Sequence, residues 1–185
     1  MLAAALFPAC AALAAEEVPQ KAQACIVCHG PGGNSTDPAK PSLAGQPAQS
    51  ISLQLYLFRE GNRKDPQMTP AAASLTNADM NDLAAYFAAQ KPRPPSHKTD
   101  PANAATAPKL AQQFNCVQCH GKALLGQQHI PRLAGQQFEY LKTQLRGFKA
   151  QTRADLDGNM TSAAQALSEK DIDALVDYMA GLGAL

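Results

Sequence analysis

The chain of 185 residues contains no tryptophan and only six phenylalanines and four tyrosines, so aromatic side chains fill little of any interior. Charged residues are also few, at 17 %, and the net charge is +1. No basic run is long enough to track a phosphate backbone, which removes nucleic-acid binding from the candidate functions. No apolar stretch reaches the ~20 residues that a membrane-spanning helix needs; the most apolar run stops at Glu16 and Glu17. Convincing alternation of apolar and polar residues, the mark of a half-buried strand, is absent as well. Apart from Cys10 the chain has four cysteines.

Those four cysteines form two copies of one pattern, Cys25-Ile-Val-Cys28-His29 and Cys116-Val-Gln-Cys119-His120. The C-x-x-C-H spacing is the one through which c-type haem is attached. Two thiols three positions apart can bond covalently to the two vinyl positions of a haem, while the adjacent histidine turns to the iron. In an exported chain four cysteines could instead form disulfides or, with the histidines, a zinc site. The immediate histidines and the identical internal spacing favour haem, and leave no cysteine for structural bridges. A porphyrin would also supply the apolar centre that scarce aromatics do not. Two units of roughly 80 to 90 residues fall below the usual ~100–150 of a domain, and a held cofactor compensates for thin cores.

The pattern is part of a longer internal repeat. Cys25 matches Cys116 at an offset of 91, and Pro41-Ser-Leu-Ala-Gly-Gln46 matches Pro131-Arg-Leu-Ala-Gly-Gln136 at 90. Met68 matches Met160 at 92, as Leu75, Leu83 and Tyr86 match Leu167, Leu175 and Tyr178. Small drifts in offset are what duplicated domains with variable loops produce. Each unit reads as mostly helical. Helices are expected over 17–28, 48–60, 107–119 and 136–148, the last carrying Phe138, Leu141, Leu145 and Phe148 at helical spacing. A final helix follows Thr76 with Asp79, and another Ser168 with Asp171, both capping-box candidates. Pro92, Pro94, Pro95, Pro101 and Pro108 mark a boundary that cannot continue a helix. The organisation expected is an export signal over 1–14, a domain over 15–90, a proline-rich linker over 91–106 and a second domain over 107–185. The fold class is all-α.

A methionine thioether is the second axial candidate in each unit, although methionine is often simply a flexible core residue. Met80 aligns with Ile172, and Met179 with Phe87, so both read as apolar helix positions. Met68 and Met160 alone occupy equivalent places, each in a loop before a final helix. His129 is the rival for the second iron, but has no histidine counterpart in the first unit and reads as surface or haem-edge structure. His97, in the linker, reads as exposed. Pro41 and Pro131 are expected to bring a backbone carbonyl to the other ring N–H of the proximal histidine, fixing its orientation. Gly45 and Gly135 suit a tight turn or close approach, and Tyr86 and Tyr178 pack their terminal helices.

Residues 1–14 read as the hydrophobic part of a secretory signal with small residues at Ala12 and Ala14, though without the charged start; a packed N-terminal helix is the alternative. Cys10 would leave with the signal. Charge is mildly uneven: Glu16 to Gln90 holds five basic and seven acidic residues, and Lys91 to Leu185 eleven and eight. Such asymmetry can steer docking between redox partners.

Both C-x-x-C-H sites, the paired Pro-x-Leu-Ala-Gly-Gln segments, Met68 with Met160 and the terminal Leu83-Ala-Ala-Tyr86 and Leu175-Val-Asp-Tyr178 helices together resemble the dihaem cytochrome c4 family, over residues 17–183. The resemblance implies tandem class I cytochrome c domains, each wrapped around one covalent haem c, two per chain, with domains meeting near the haem propionates. It implies Cys25, Cys28, Cys116 and Cys119 as attachment residues, His29 with Met68 on one iron, and His120 with Met160 on the other. It implies a periplasmic electron carrier, not an enzyme, shuttling between a quinol-oxidising complex and a terminal oxidase or reductase, with peripheral membrane association in some members. The alternatives are an electron-accepting subunit of a dehydrogenase and a small dihaem oxidoreductase or peroxidase, the last requiring an open coordination position.

Overall fold

The computed structural model describes residues 18–183, so the expected signal over 1–14, with Cys10, lies outside the described residues. Among these residues the chain forms nine α-helices, and the sole strand-type pairing is one bridge between Gln127 and Ile130. The first half contains α1 (Gln20–His29), α2 (Ala48–Arg59), α3 (Met68–Ala72) and α4 (Asn77–Ala89). The second contains α5 (Pro101–Gln113), α6 (Cys116–His120), α7 (Phe138–Lys149), α8 (Asn159–Gln165) and α9 (Glu169–Gly181). None of the described helices is long and apolar enough to cross a membrane.

Local chemistry explains the ends of the terminal helices. Thr76 Oγ1 accepts from the Asp79 N–H at 3.1 Å, while the Asp79 carboxylate accepts from the Thr76 N–H at 2.9 Å. Ser168 and Asp171 repeat the arrangement at 3.1 and 2.9 Å. Each reciprocal box satisfies two donors that the first turn would otherwise leave orphaned, worth ~1 kcal/mol. Behind the caps the apolar stripes are buried in two separate clusters. Ile51, Leu83 and Phe87 centre the first, and Leu141, Ile172, Leu175 and Val176 the second. Met80 and Met179 are buried helix residues. Tyr86 packs edge-on to Phe87 with ring centroids 5.0 Å apart.

The linker departs from expectation. Helix begins at Pro101, inside the stretch 91–106 read as non-helical, and it continues through Pro108. Asp100 caps it, its carboxylate accepting from the Ala102 N–H at 2.7 Å. Pro101 then occupies the first helical position, where no N–H is required. Pro108 does forfeit an interior bond, a cost of roughly 3 kcal/mol in an isolated helix; burial of Ala107 and Ala111 beside it, at ~0.8 kcal/mol per methyl, offsets part of that cost. The expected single helix over 107–119 is broken at Asn115, which takes a left-handed φ of 58°. His97 is half-buried, not exposed: its Nε2 lies 2.6 Å from the Asp177 carboxylate and its ring stacks on Phe138 at 4.8 Å. Asp177 also receives the Asp100 N–H and the Asn103 side-chain amide, both at 2.9 Å. One carboxylate thus ties the end of the linker to α9.

The two halves meet along the repeated Leu-Ala-Gly-Gln loops. Gly45 and Gly135 sit at φ +64° and +66°, and each donates its N–H to the last turn of its terminal helix, to Phe87 at 2.9 Å and Met179 at 2.8 Å. A Cβ at Gly45 would lie 2.5 Å from Pro92, so this glycine also lets the linker pass over the loop. The next residues, Gln46 and Gln136, reach across to the opposite half. Further along the seam Arg63 donates to Gln144 at 2.8 Å, and Arg153 donates to Gln54 at 3.4 Å. Each guanidinium covers a phenylalanine of its own half, Arg63 over Phe58 at 4.5 Å and Arg153 over Phe148 at 4.4 Å.

Candidate functional site

Each C-x-x-C-H segment occupies a short helical stretch with its histidine as the last residue. In α1 the histidine ends a continuous helix; in α6 the Asn115 turn precedes Cys116. Cys25 and Cys116 are half-buried, Cys28 and Cys119 exposed, and none of the four is paired in a disulfide. Burial pushes the Cys25 and Cys116 thiols up from their ordinary pKa. Among the described residues no three His, Cys, Asp or Glu side chains gather as a zinc cage requires.

The histidines are held alike. Nδ1 of His29 lies 2.8 Å from the Pro41 carbonyl, and Nδ1 of His120 lies 2.8 Å from that of Pro131. A carbonyl only accepts, so Nδ1 carries the proton and the lone pair of the neutral ring is on Nε2. Nε2 of either ring hydrogen-bonds to none of the described residues. Burial lowers the pKa of both imidazoles, against the opposing effect of the carbonyl bonds, and so favours the neutral, metal-binding form.

The carbonyls are delivered by matching loops. In the first half the Gly33 carbonyl accepts from Leu43 at 2.7 Å and Ala44 at 3.1 Å; in the second the Leu124 carbonyl accepts from Leu133 at 2.8 Å and Ala134 at 3.1 Å. Gly33 and Leu124 both adopt positive φ, at 75° and 57°. Gly126 closes the second loop further, donating to the His120 carbonyl at 2.9 Å.

Met68 and Met160 differ from the reading in one respect: neither sits in a loop, because each lies in the first turn of a short helix, α3 or α8. Both are half-buried, unlike the core residues Met80 and Met179. Each is positioned by an aspartate that no local motif marks out. Asp65 accepts from the Met68 N–H at 2.8 Å, and Asp155 accepts from the Met160 N–H at 2.8 Å. Asp155 also takes the Thr161 hydroxyl at 2.8 Å and its N–H at 3.1 Å. Burial alone would raise these carboxyls, but the bonds they accept outweigh it and hold both below the usual range. Asp65 and Asp155 stand 90 apart, the offset that relates Pro41 to Pro131, and that was the available signal. His129 is exposed, as read.

On the seam, the buried Nε atoms of Arg132 and Arg153 have no hydrogen-bond partner among the described residues. Burial pushes the Arg153 guanidinium down to about 10, which leaves it charged at neutral pH.

A cytochrome c family model matches residues 15–91 and again 104–183. Cytochrome c4 of Thiocapsa roseopersicina is 40 % identical over 169 residues, covering 85 % of this chain and 86 % of that protein. The thiosulfate dehydrogenase electron acceptor of Stutzerimonas stutzeri is 36 % identical over 174 residues, covering 88 % and 80 %. The crystal structure of reduced recombinant cytochrome c4 from Pseudomonas stutzeri superposes with a TM-score of 0.81 at 34 % identity, covering 88 % of this chain and 95 % of that one. The duplicated helical halves and the two equivalent histidine turns therefore have one source: the chain belongs to the cytochrome c4 family, periplasmic electron carriers with two covalently bound c-type haems.

Proposed function

We propose that His29 with Met68, and His120 with Met160, are the axial ligands of the two irons, and that Cys25, Cys28, Cys116 and Cys119 form the thioether bonds. The observation that carries the assignment is the repeated Nδ1-to-carbonyl bond, at 2.8 Å in both halves, which aims an unprotonated Nε2 away from the loop. The residues present fit the group. Cysteines stand at the right spacing, neutral buried imidazoles stand beside them, and each unit has one half-buried methionine besides its fully buried one. The unpartnered Nε atoms of Arg132 and Arg153 suit carboxylates such as the propionates of haem. Bound there, c-type haem supplies a one-electron ferrous–ferric couple. The chain's part is to fill both axial positions, which denies oxygen, peroxide or substrate a place on the iron. Thioether ligation also favours a relatively high potential.

The functional units are a first domain over 15–90 and a second over 107–185, with α5 drawing the end of the 91–106 linker into the second. The partners proposed are a quinol-oxidising complex as donor and a terminal oxidase or reductase as acceptor, reached through the periplasm with peripheral membrane contact. A second reading, service as the electron acceptor of one dehydrogenase, is favoured by the similarity to a thiosulfate dehydrogenase electron acceptor. Co-purification with a catalytic subunit would select it over a diffusible shuttle. The ligand assignment is tested by Met68→Ala and Met160→Ala in haem-loaded protein. Each is expected to remove half of the weak thioether-to-ferric-iron absorption band; an undiminished band in either variant overturns that ligand.

A further inference from the structure

In each half one peptide group is hydrogen-bonded on both of its edges. The carbonyl of the Pro41–Ser42 peptide accepts from His29 Nδ1 at 2.8 Å, and its N–H, carried by Ser42, donates to Oε1 of Gln136 at 2.7 Å. The carbonyl of the Pro131–Arg132 peptide accepts from His120 Nδ1 at 2.8 Å, and its N–H donates to Oε1 of Gln46 at 2.9 Å. The pairing is crossed: the glutamine of each half bonds the peptide that orients the histidine of the other. Each glutamine also closes a second bond to the same residue. Gln136 Nε2 donates to the Ser42 carbonyl at 2.9 Å and Gln46 Nε2 to the Arg132 carbonyl at 3.0 Å, so both amide planes are fixed. Ser42, Gln46, Arg132 and Gln136 are all buried, which keeps water from competing.

A peptide group transmits polarisation from one edge to the other because its C–N bond is partly double. A bond accepted from the N–H places more negative charge on the carbonyl oxygen, and chains of such bonds strengthen one another in a low-dielectric interior. A better acceptor draws harder on the imidazole Nδ1–H and makes Nε2 a stronger donor to a metal. Stronger donation favours the higher oxidation state and lowers the reduction potential.

We propose that Gln46 and Gln136 are positioning residues that tune the potentials crosswise. Gln136 sets the donor strength of His29, and Gln46 that of His120, each through one peptide group across the domain seam. The inference rests on the assignment of His29 and His120 as axial ligands. A role in holding the seam alone predicts something different, since loosening a shared interface has no reason to single out the opposite haem.

The test uses holoprotein carrying Gln136→Met or Gln46→Met, which keep side-chain length and remove the acceptor. Haem-resolved potentials come from redox titration followed by NMR, with each haem assigned through its histidine, and Nδ1 nitrogen shifts are read in the same samples. Gln136→Met is expected to move the His29 haem to a more positive potential and shift the His29 Nδ1 resonance, with the His120 haem unchanged; Gln46→Met gives the reverse. A shift confined to the substituted half, an equal shift of both haems, or no shift overturns the proposal. If a methionine variant fails to fold with haem, Gln136→Asn and Gln46→Asn withdraw the acceptor while staying polar, and the same crossed shift is required of them. Wild-type protein without two histidine-ligated haems would remove the ligand assignment itself, and that failure is visible before any substitution is made.

Discussion

Replacing Asp155 by alanine should loosen Met160 without touching the first half. The Asp155 carboxylate caps the opening turn of α8, accepting from the Met160 N–H, the Thr161 N–H and the Thr161 hydroxyl at 2.8, 3.1 and 2.8 Å. Fully buried bonds to a charged acceptor would be worth ~1.5–3 kcal/mol each. Asp155 is half-exposed, so water replaces much of what is removed. Loss of a helix cap, at about 0.5–2 kcal/mol, is the better measure. With 1.4 kcal/mol per factor of ten, the fraction of molecules with Met160 displaced should rise ~2- to 30-fold. Imidazole titration of the ferric protein, followed by loss of the thioether band, reads this directly. The apparent imidazole affinity of the second haem should rise by that factor while the first stays as in the wild type; Asp65→Ala should show the opposite selectivity. Wild-type affinity at the second haem of Asp155→Ala would refute the reasoning.

Two other outcomes follow from particular contacts. The Asp79 carboxyl is pushed down from 3.8 to about 2, chiefly by Lys21 and then by the Thr76 N–H and hydroxyl. A carboxyl whose pKa is lower folded than unfolded adds stability above its unfolded value and loses it as pH falls through the folded one. Asp79→Asn should therefore flatten the fall in thermal midpoint between about pH 4 and 2; a slope equal to that of the wild type would contradict the combined hold of Lys21 and Thr76 on this carboxylate. Gly126→Ala would place a Cβ 2.5 Å from the Arg132 nitrogen and 2.6 Å from the Ile130 oxygen, at a φ of +74°. The strained backbone alone costs ~1–3 kcal/mol, and displacement of the Pro131 turn should raise that; denaturant unfolding with a loss below ~1 kcal/mol would argue against a fixed loop.

The features that were legible in the sequence are those that repeat locally. Cys-x-x-Cys-His, the Thr76/Asp79 and Ser168/Asp171 boxes and the burial of Leu83, Ile172 and Leu175 each follow from spacings of a few residues. Duplication then separated Met68 and Met160 from Met80 and Met179, whose burial bears out their reading as core. Pro41 and Pro131 are expected to bring accepting carbonyls to the histidines, and both carbonyls are there. The start of α5 is not legible because proline alone signals a helix breaker; at Pro101 its meaning depends on Asp100 taking up the Ala102 N–H. His97 looked idle because Asp177 and Phe138, which hold it, lie far along the chain. Gln46 and Gln136 stood out only as a repeated letter. Their partners are 86 and 94 residues away, and no local period encodes a contact between two domains.

Carbon monoxide addition to the fully reduced native protein tests most directly whether both irons are filled by protein ligands. The spectrum of the ferrous protein should stay unchanged under the gas at neutral pH, with two low-spin haems before and after. Formation of a carbon monoxide adduct at either haem, in protein that keeps its native fold, would contradict a chain built only to pass electrons.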